Sequence, residues 1–191
     1  MRPMDTNNVI STIKTGHRLA EIICDIKEEK RLTPKINILR QELYLPCDNP
    51  VFWLASKINV IPERMINTGT GNLNLGMKAE LSYIQFGELN MLLIPGELFP
   101  ELAYGGYLSQ EESSIDKAPD INPDPLCKIA DDENLLIFGL ANDAIGYIVP
   151  DNDYTMGDPM NHYHELISLG QYVASGLMDG LEELKAEIDA R

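Results

Sequence analysis

The residues best suited to chemistry follow two apolar segments of the chain. Residues 91–96 are apolar and lead into Glu97, and residues 135–141 lead into Asn142-Asp143 and then Tyr147. Short apolar runs that stop at Gly, Pro or Asn predict buried strands. In sheets covered by helices, ligands gather beyond the strand ends. These polar residues are therefore a candidate half-site; the alternative is that the Gly and Pro residues around them only mark turns.

The three histidines do not predict a self-contained metal site. His17 lies in a predicted helix beside its apolar stripe, where a buried or boundary histidine with a hydrogen-bond partner is the ordinary role. His162 and His164 are two positions apart, a spacing that shares a face in a strand but not in a helix. An apolar helical pattern follows them. We therefore expect that they do not bind one zinc ion together.

The sequence gives little support for a serine nucleophile, a phosphate-binding loop or a catalytic pair of carboxylates. The chain has no Gly-x-Ser-x-Gly motif for a serine nucleophile. Gly69 and Gly71 have the spacing of a phosphate loop, but no lysine follows them. The carboxylate pairs Glu111-Glu112 and Asp131-Asp132 lie in loop sequence, which indicates solvated charge.

The residues at these two strand ends also resemble those of a known protein family. Pro95-Gly96-Glu97, then Gly139-Leu140-Ala141-Asn142 with Gly146-Tyr147, and later Tyr163 and Leu169-Gly170 resemble patches of the neutral/alkaline, non-lysosomal ceramidases. That family hydrolyses the amide of ceramide at a single zinc ion. The resemblance is to the C-terminal half of the catalytic domain and extends over about residues 10–185, with close matches confined to these patches.

The resemblance implies a role for three residues. Glu97 and Tyr147 match zinc ligands, and Tyr163 matches a tyrosine near the reacting amide. The family's other zinc ligands are two histidines of the N-terminal half, which has no counterpart here. The chain also departs from the family at residues 98–106, where the ceramidases have threonines and an arginine-rich helix, and at His164, where they have glutamate.

The chemistry of the two matched ligands differs. Glu97 offers an anionic oxygen, as catalytic zinc sites accept. A tyrosine phenol has a pKa near ~10 and stays protonated unless a cation favours the phenolate. The role of Tyr147 as a ligand is therefore implied by the resemblance alone. By residue chemistry it is a half-buried aromatic ring with a hydrogen-bonded hydroxyl.

Composition narrows the class of protein and its partners. The chain has 191 residues, 44% of them hydrophobic, and a net charge of −15. Such an acidic surface repels phosphate backbones, so nucleic acid is a poor partner. No apolar run reaches the ~20 residues of a membrane span. The N-terminus lacks a secretory pattern, and three scattered cysteines fit a reducing compartment, so a cytoplasmic location is the default expectation.

Periodicity and turn residues predict the elements that position the site. Val9, Ile13 and Ile23 lie on one predicted buried stripe of a first helix. We predict a loop over 109–133, Pro- and acid-rich, as the most mobile internal segment and a possible lid. The predicted elements are a helix over 6–31, a strand over 34–46, a short helix from Pro50, a hairpin of 77–86 and 89–94 turning at Gly87-Glu88, a short helix ending near Ala103, a strand over 135–141 and a long helix over 161–188.

These elements predict an α/β fold, a mixed β-sheet flanked by helices, that resembles the C-terminal half of the ceramidase catalytic domain. Residues 1–191 would form a single domain or a half-domain. The resemblance implies a zinc-dependent amidohydrolase that cleaves an N-acyl or lipid amide and is incomplete in this chain. The alternative is a non-catalytic fragment or binding module without an intact metal site. We expect an exposed apolar surface around Phe86, Leu92 and Phe138, covered by a complementary N-terminal half or by self-association.

Overall fold

The described residues of the chain form six helices and seven strands. The computed structural model of the protein describes residues 9–61, 65–69, 73–113, 122–155 and 162–190. The helices are α1 (Val9–Asp25), α2 (Pro50–Lys57), α3 (Pro100–Tyr104), α4 (Leu126–Ile129), α5 (Tyr163–Leu166) and α6 (Val173–Asp189). The strands are β1 (Ile36–Pro46), β2 (Ile66–Asn67), β3 (Leu75–Phe86), β4 (Leu89–Leu93), β5 (Glu97–Leu98), β6 (Leu136–Phe138) and β7 (Tyr147–Ile148). Contacts divide the chain into two units, Met1–Leu32 and Thr33–Arg191.

The first unit contains α1, an amphipathic helix. It ends at Asp25, earlier than the predicted 31, and residues 6–8 lie outside the described part of the chain. The helix has no buried residue, and more than half of the surface of Val9, Ile13 and Ile23 is exposed. Within its own unit the stripe is therefore uncovered, because an amphipathic pattern specifies a helix without specifying what covers its apolar face, and its burial stays a prediction.

The second unit is built on a mixed sheet with the strand order β1-β3-β4-β6, and β2 pairs with β3. β1 and β3 are antiparallel along their whole length, and β3 continues into β4 through the predicted turn at Gly87, which has a positive φ of 59°. β4 and β6 are parallel. A second sheet holds β5 and β7, also parallel. The predicted α/β fold with a mixed sheet flanked by helices is confirmed.

The core lies between this sheet and α6. The apolar stripe of α6 buries Leu177, Leu181 and Leu184, and the helix contacts both β1 and β3. Leu92, which we expected on an exposed surface, is fully buried in the same core. That part of the expectation was wrong because β4 is not an edge strand: it lies between β3 and β6.

The predicted helix over 161–188 is interrupted. α5 ends at Leu166 and α6 begins at Val173. The carbonyl groups between them accept hydrogen bonds from distant residues rather than from the next helical turn. The Leu169 oxygen accepts from the backbone N–H groups of Asp48 and Asn49, at 2.9 and 3.0 Å. These long-range bonds break a helix that the side-chain periodicity predicts as continuous.

The segment predicted as a loop over 109–133 contains α4, whose Leu126 is buried. Residues 114–121 lie outside the described residues, and the mobility of the segment stays a prediction. Within the described residues, no helix combines the length and the apolar character needed to cross a membrane.

Candidate functional site

The two strand ends singled out in the sequence meet in the second sheet. β5 and β7 run parallel, and Glu97 is the ladder partner of Tyr147. The backbone N–H of Glu97 donates to the Gly146 oxygen at 2.9 Å, and that of Phe99 donates to the Ile148 oxygen at 3.1 Å. Fifty residues apart in sequence, Glu97 and Tyr147 are therefore neighbours in space, as predicted.

Glycine makes this close approach possible. A Cβ atom at Gly96 would lie 2.7 Å from the Gly146 oxygen and 2.9 Å from the Ile148 side chain, too close for any other residue without movement of the chain. Gly146 itself has a φ of +91°, which side chains rarely adopt. The matched Pro-Gly-Glu and Gly-Tyr patches are thus the two halves of one tight contact.

The side chains of Glu97 and Tyr147 also interact. The Glu97 carboxylate lies close enough to the Tyr147 phenol to act on its pKa. Desolvation raises the pKa of Tyr147 above its ordinary value, and the hydrogen bond and negative charge of Glu97 raise it further, with a smaller effect from Tyr163. The phenol is therefore held in its neutral form. A cation at this pair would reverse that preference, because positive charge favours the phenolate.

An aromatic cluster surrounds Tyr147. Its ring centroid lies 4.6 Å from that of His164, 6.0 Å from that of Tyr163 and 6.4 Å from that of Phe99, all in edge-to-face arrangements. Phe99 and His164 also contact each other, with centroids 5.2 Å apart. Such edge-to-face contacts favour particular ring orientations. Tyr163, the predicted catalytic residue, belongs to this cluster.

Backbone hydrogen bonding brings α5 to the strand pair. The N–H of Tyr147 donates to the Ile167 oxygen just after α5, at 2.7 Å. His162 and His164 have different contacts. His162 Nδ1 lies 3.2 Å from Glu165 Oε1, whereas His164 packs on the Tyr147 ring. Our sequence analysis missed His164 as a site residue; its position beside Tyr163 in the matched patch was the available signal.

Asn142 forms a hydrogen bond to a neighbouring strand. Its Nδ2 donates to Ser82 Oγ at 2.9 Å, and its backbone has a φ of 72°. The amide thus fastens the turn after β6 to β3. The place of Asn142 in the candidate half-site stays a prediction.

An open groove borders Glu97. Its volume is about 420 Å³. The lining residues are Glu97, Leu98, Pro100, Ala103, Tyr104, Ile137, Gly139 and Leu140. Glu97 is the charged residue in this lining, and the others are mostly apolar. The groove is suited to an apolar chain attached to a polar group that Glu97 can reach.

The donors at this site fall short of a complete catalytic zinc site. Such sites usually take three protein ligands and leave one position open. Glu97 and Tyr147 supply two oxygen atoms, and the described residues contain no group of three or more His, Cys, Asp or Glu side chains that could hold a metal. The pair therefore fits only as part of a zinc site.

The fold resembles that of a known hydrolase. The structure of neutral ceramidase from Pseudomonas aeruginosa matches the chain over its whole length with a TM-score of 0.53 and 10% sequence identity. The chain spans 34% of that enzyme's length. No protein-family model and no curated protein sequence matches the chain. At this identity the likeness shows the fold, and the roles of the site residues depend on their geometry.

Proposed function

We propose that the chain provides one part of a zinc-dependent amidohydrolase site, with Glu97 and Tyr147 as two of the metal ligands. The observation that carries the proposal is the ladder pairing of these two residues, which brings the Glu97 carboxylate close enough to the Tyr147 phenol to raise its pKa. The remaining donors would come from outside this sequence; in the resembled family they are two histidines. The ceramidase-like fold supports this assignment.

Each residue of the site has a role in this proposal. Zinc, when bound, would polarise the amide carbonyl and acidify a water molecule. Glu97 and Tyr147 would hold the ion, and Tyr147 would lose its proton to do so. Tyr163, whose ring lies against Tyr147, would present its hydroxyl to the scissile amide. Phe99 and His164 would orient the Tyr147 ring and shield one side of it from water.

The groove and the charge of the chain favour a neutral substrate with an apolar chain. The apolar lining next to Glu97 suits a fatty acyl group, which gains by leaving water. The net charge of −15 disfavours anionic substrates. We propose an N-acyl or lipid amide as the substrate class.

Zinc titration of the full chain tests the proposal. We expect weak binding by the wild type, because two ligands leave most of the coordination sphere to water, and little or no hydrolysis of a fluorogenic fatty N-acyl amide. Glu97→Gln and Tyr147→Phe should each weaken zinc binding by about tenfold or more. Calorimetry gives the affinity, and the released fluorophore gives the turnover.

The chain offers a matched control pair. Tyr44 and Glu42 are also hydrogen-bonded, but they lie on β1 and not at the site. Glu42→Gln and Tyr44→Phe should leave zinc binding at the wild-type level. An equal loss of zinc affinity in both pairs of variants would mean that zinc binds non-specifically to the acidic surface. Stoichiometric zinc binding with rapid turnover by the chain alone would refute the partial-site proposal.

The second candidate function is a non-catalytic binding module. It is favoured by the lack of a group of three metal-binding side chains among the described residues. Zinc affinity that is unchanged in Glu97→Gln and Tyr147→Phe would support this function over the first. Binding of a fatty N-acyl amide in the groove would then be the activity to measure.

A further inference from the structure

One side of the main sheet faces away from the core. On the other side, Leu39 and Leu43 of β1 and Leu81 of β3 are buried in the core, and α6 contacts both strands. Successive residues of a strand point to opposite sides of a sheet, and residues paired across neighbouring strands point to the same side. The β1 residues that alternate with Leu39 and Leu43 are accordingly exposed. This side of the sheet, which we call the open face, is built on Ile36, Ile38, Arg40, Glu42 and Tyr44 and their ladder partners.

An apolar row crosses the open face. Ile38 of β1 pairs with Ile84 of β3, which pairs with Met91 of β4. Met91 in turn pairs with Leu136 of β6. The row therefore extends from one edge strand of the sheet to the other. Since neighbouring strands lie about 4.8 Å apart, the row is about 14 Å long.

Two further pairs widen this row into a patch. Ile36 pairs with Phe86 on one side of the row, and Leu93 pairs with Phe138 on the other. Five of the side chains are 36–62% exposed, namely Ile36, Ile38, Phe86, Leu136 and Phe138. An aromatic side chain buries about 150–250 Å² and an aliphatic one somewhat less, so these exposed fractions amount to roughly 400 Å² of apolar surface. The largest apolar patch on a typical monomer covers about 300–600 Å² and is often functional, so a patch of this size is a candidate interface.

The charges beside this patch cancel. Arg40 Nε lies 3.8 Å from Glu80 Oε1, and Lys78 forms an ion pair with Glu42. The strands β1, β3, β4 and β6, which the structure describes in full, contain no other charged residue. The acidic excess behind the net charge of −15 therefore lies outside these strands. An uncharged apolar partner fits the open face better than a cationic one, and a second copy of the chain presents such a surface.

We propose that the open face is the interface of a homodimer in which two copies of this chain pack sheet against sheet. A two-fold axis brings the same patch of both copies together, apolar surface on apolar surface. The pair would bury roughly 800 Å² of apolar surface. Because apolar atoms make up about 56–65% of an interface, the total is roughly 1,300 Å², within the range of about 1,200–2,000 Å² for specific complexes. The ion pairs of the open face, already formed within each chain, would lie at the polar rim.

Sedimentation equilibrium of the full chain over a range of protein concentrations tests the proposal. We expect a monomer–dimer equilibrium that shifts toward the dimer as salt screens the repulsion between acidic chains. Ile38→Glu and Phe138→Asp lie on opposite edge strands of the sheet. Each should weaken dimerisation by about tenfold or more, because the substitution is present in both copies. Association through a single strand edge would instead be weakened only by the variant on that edge.

Val60→Asp is the matched control. Val60 is 70% exposed and lies after α2, outside the sheet, so its variant should dimerise within about twofold of the wild type. Thermal unfolding by circular dichroism checks that every variant is folded. Ile38→Thr and Phe138→Thr keep a high strand propensity and add no charge, and they should weaken dimerisation in the same direction by a smaller factor.

Four results would overturn the proposal. A strict monomer at every concentration would mean that something other than a second copy covers the open face. Higher oligomers without a dimer would mean that the contact is not closed by a two-fold axis. Weaker association in only one of the two edge variants would indicate pairing of strand edges. An equal loss in Val60→Asp would indicate non-specific association of apolar surface.

Discussion

Gly96→Ala should separate the two halves of the site. The added Cβ would lie 2.7 Å from the Gly146 oxygen and 2.9 Å from the Ile148 side chain. Because one of these atoms belongs to the backbone of the opposing segment, β5 and β7 must shift. Overpacking of this kind costs about 1–3 kcal/mol. For a chain of this size, each 1 kcal/mol lowers the unfolding temperature by about 2–4 °C, so we expect a fall of roughly 2–12 °C.

The shift should also be visible at Tyr147. Its raised pKa depends partly on the hydrogen bond to Glu97, so separation of the strands should lower the pKa toward the ordinary value. Thermal unfolding by circular dichroism measures stability, and NMR titration of tyrosine labelled at ¹³Cζ measures the pKa. Gly16→Ala, where a Cβ meets nothing within 4 Å, is the control: it should leave the Tyr147 pKa unchanged and should not lower the unfolding temperature, because alanine is favoured over glycine in the middle of a helix. Wild-type stability and an unchanged Tyr147 pKa in Gly96→Ala would refute the tight strand contact.

Three further perturbations have directions set by the structure. Burial and Glu97 raise the pKa of Tyr147 in the folded protein. The stability that this shift contributes is therefore present below pH 10 and is lost as the pH rises through the folded-state pKa. Glu97→Gln should lower the pKa of Tyr147 in the same NMR titration. Asn49→Ala removes hydrogen bonds to the Leu166 and Ser168 carbonyl groups and should lower the free energy of unfolding, measured in urea, by roughly 1–3 kcal/mol. Asn134 is exposed, and Asn134→Ala should change the free energy of unfolding little. Sedimentation should show self-association that increases with salt concentration, because salt screens the repulsion between acidic chains. The association should decrease in Phe138→Asp, because about half of the Phe138 side chain is exposed on the edge strand β6. A strict monomer at low and high salt would contradict this prediction.

The sequence predicts the parts of the fold that depend on local pattern. The hairpin of β3 and β4 follows from apolar runs on either side of Gly87. Asn49-Pro50 predicts the start of α2, where the Asn49 side chain accepts from the Val51 N–H. The convergence of Glu97 with Tyr147 could also be predicted, because each residue follows an apolar segment and strand ends gather ligands.

The features that the sequence did not predict depend on distant residues. The helix over 161–188 breaks because the Leu166, Ser168 and Leu169 carbonyl groups bond to Asp48 and Asn49, more than a hundred positions away. The periodicity of apolar side chains contains no information about such long-range hydrogen bonds. The same break places α5, and with it His164, against Tyr147. A site residue positioned by a tertiary hydrogen bond cannot be found from helical spacing alone.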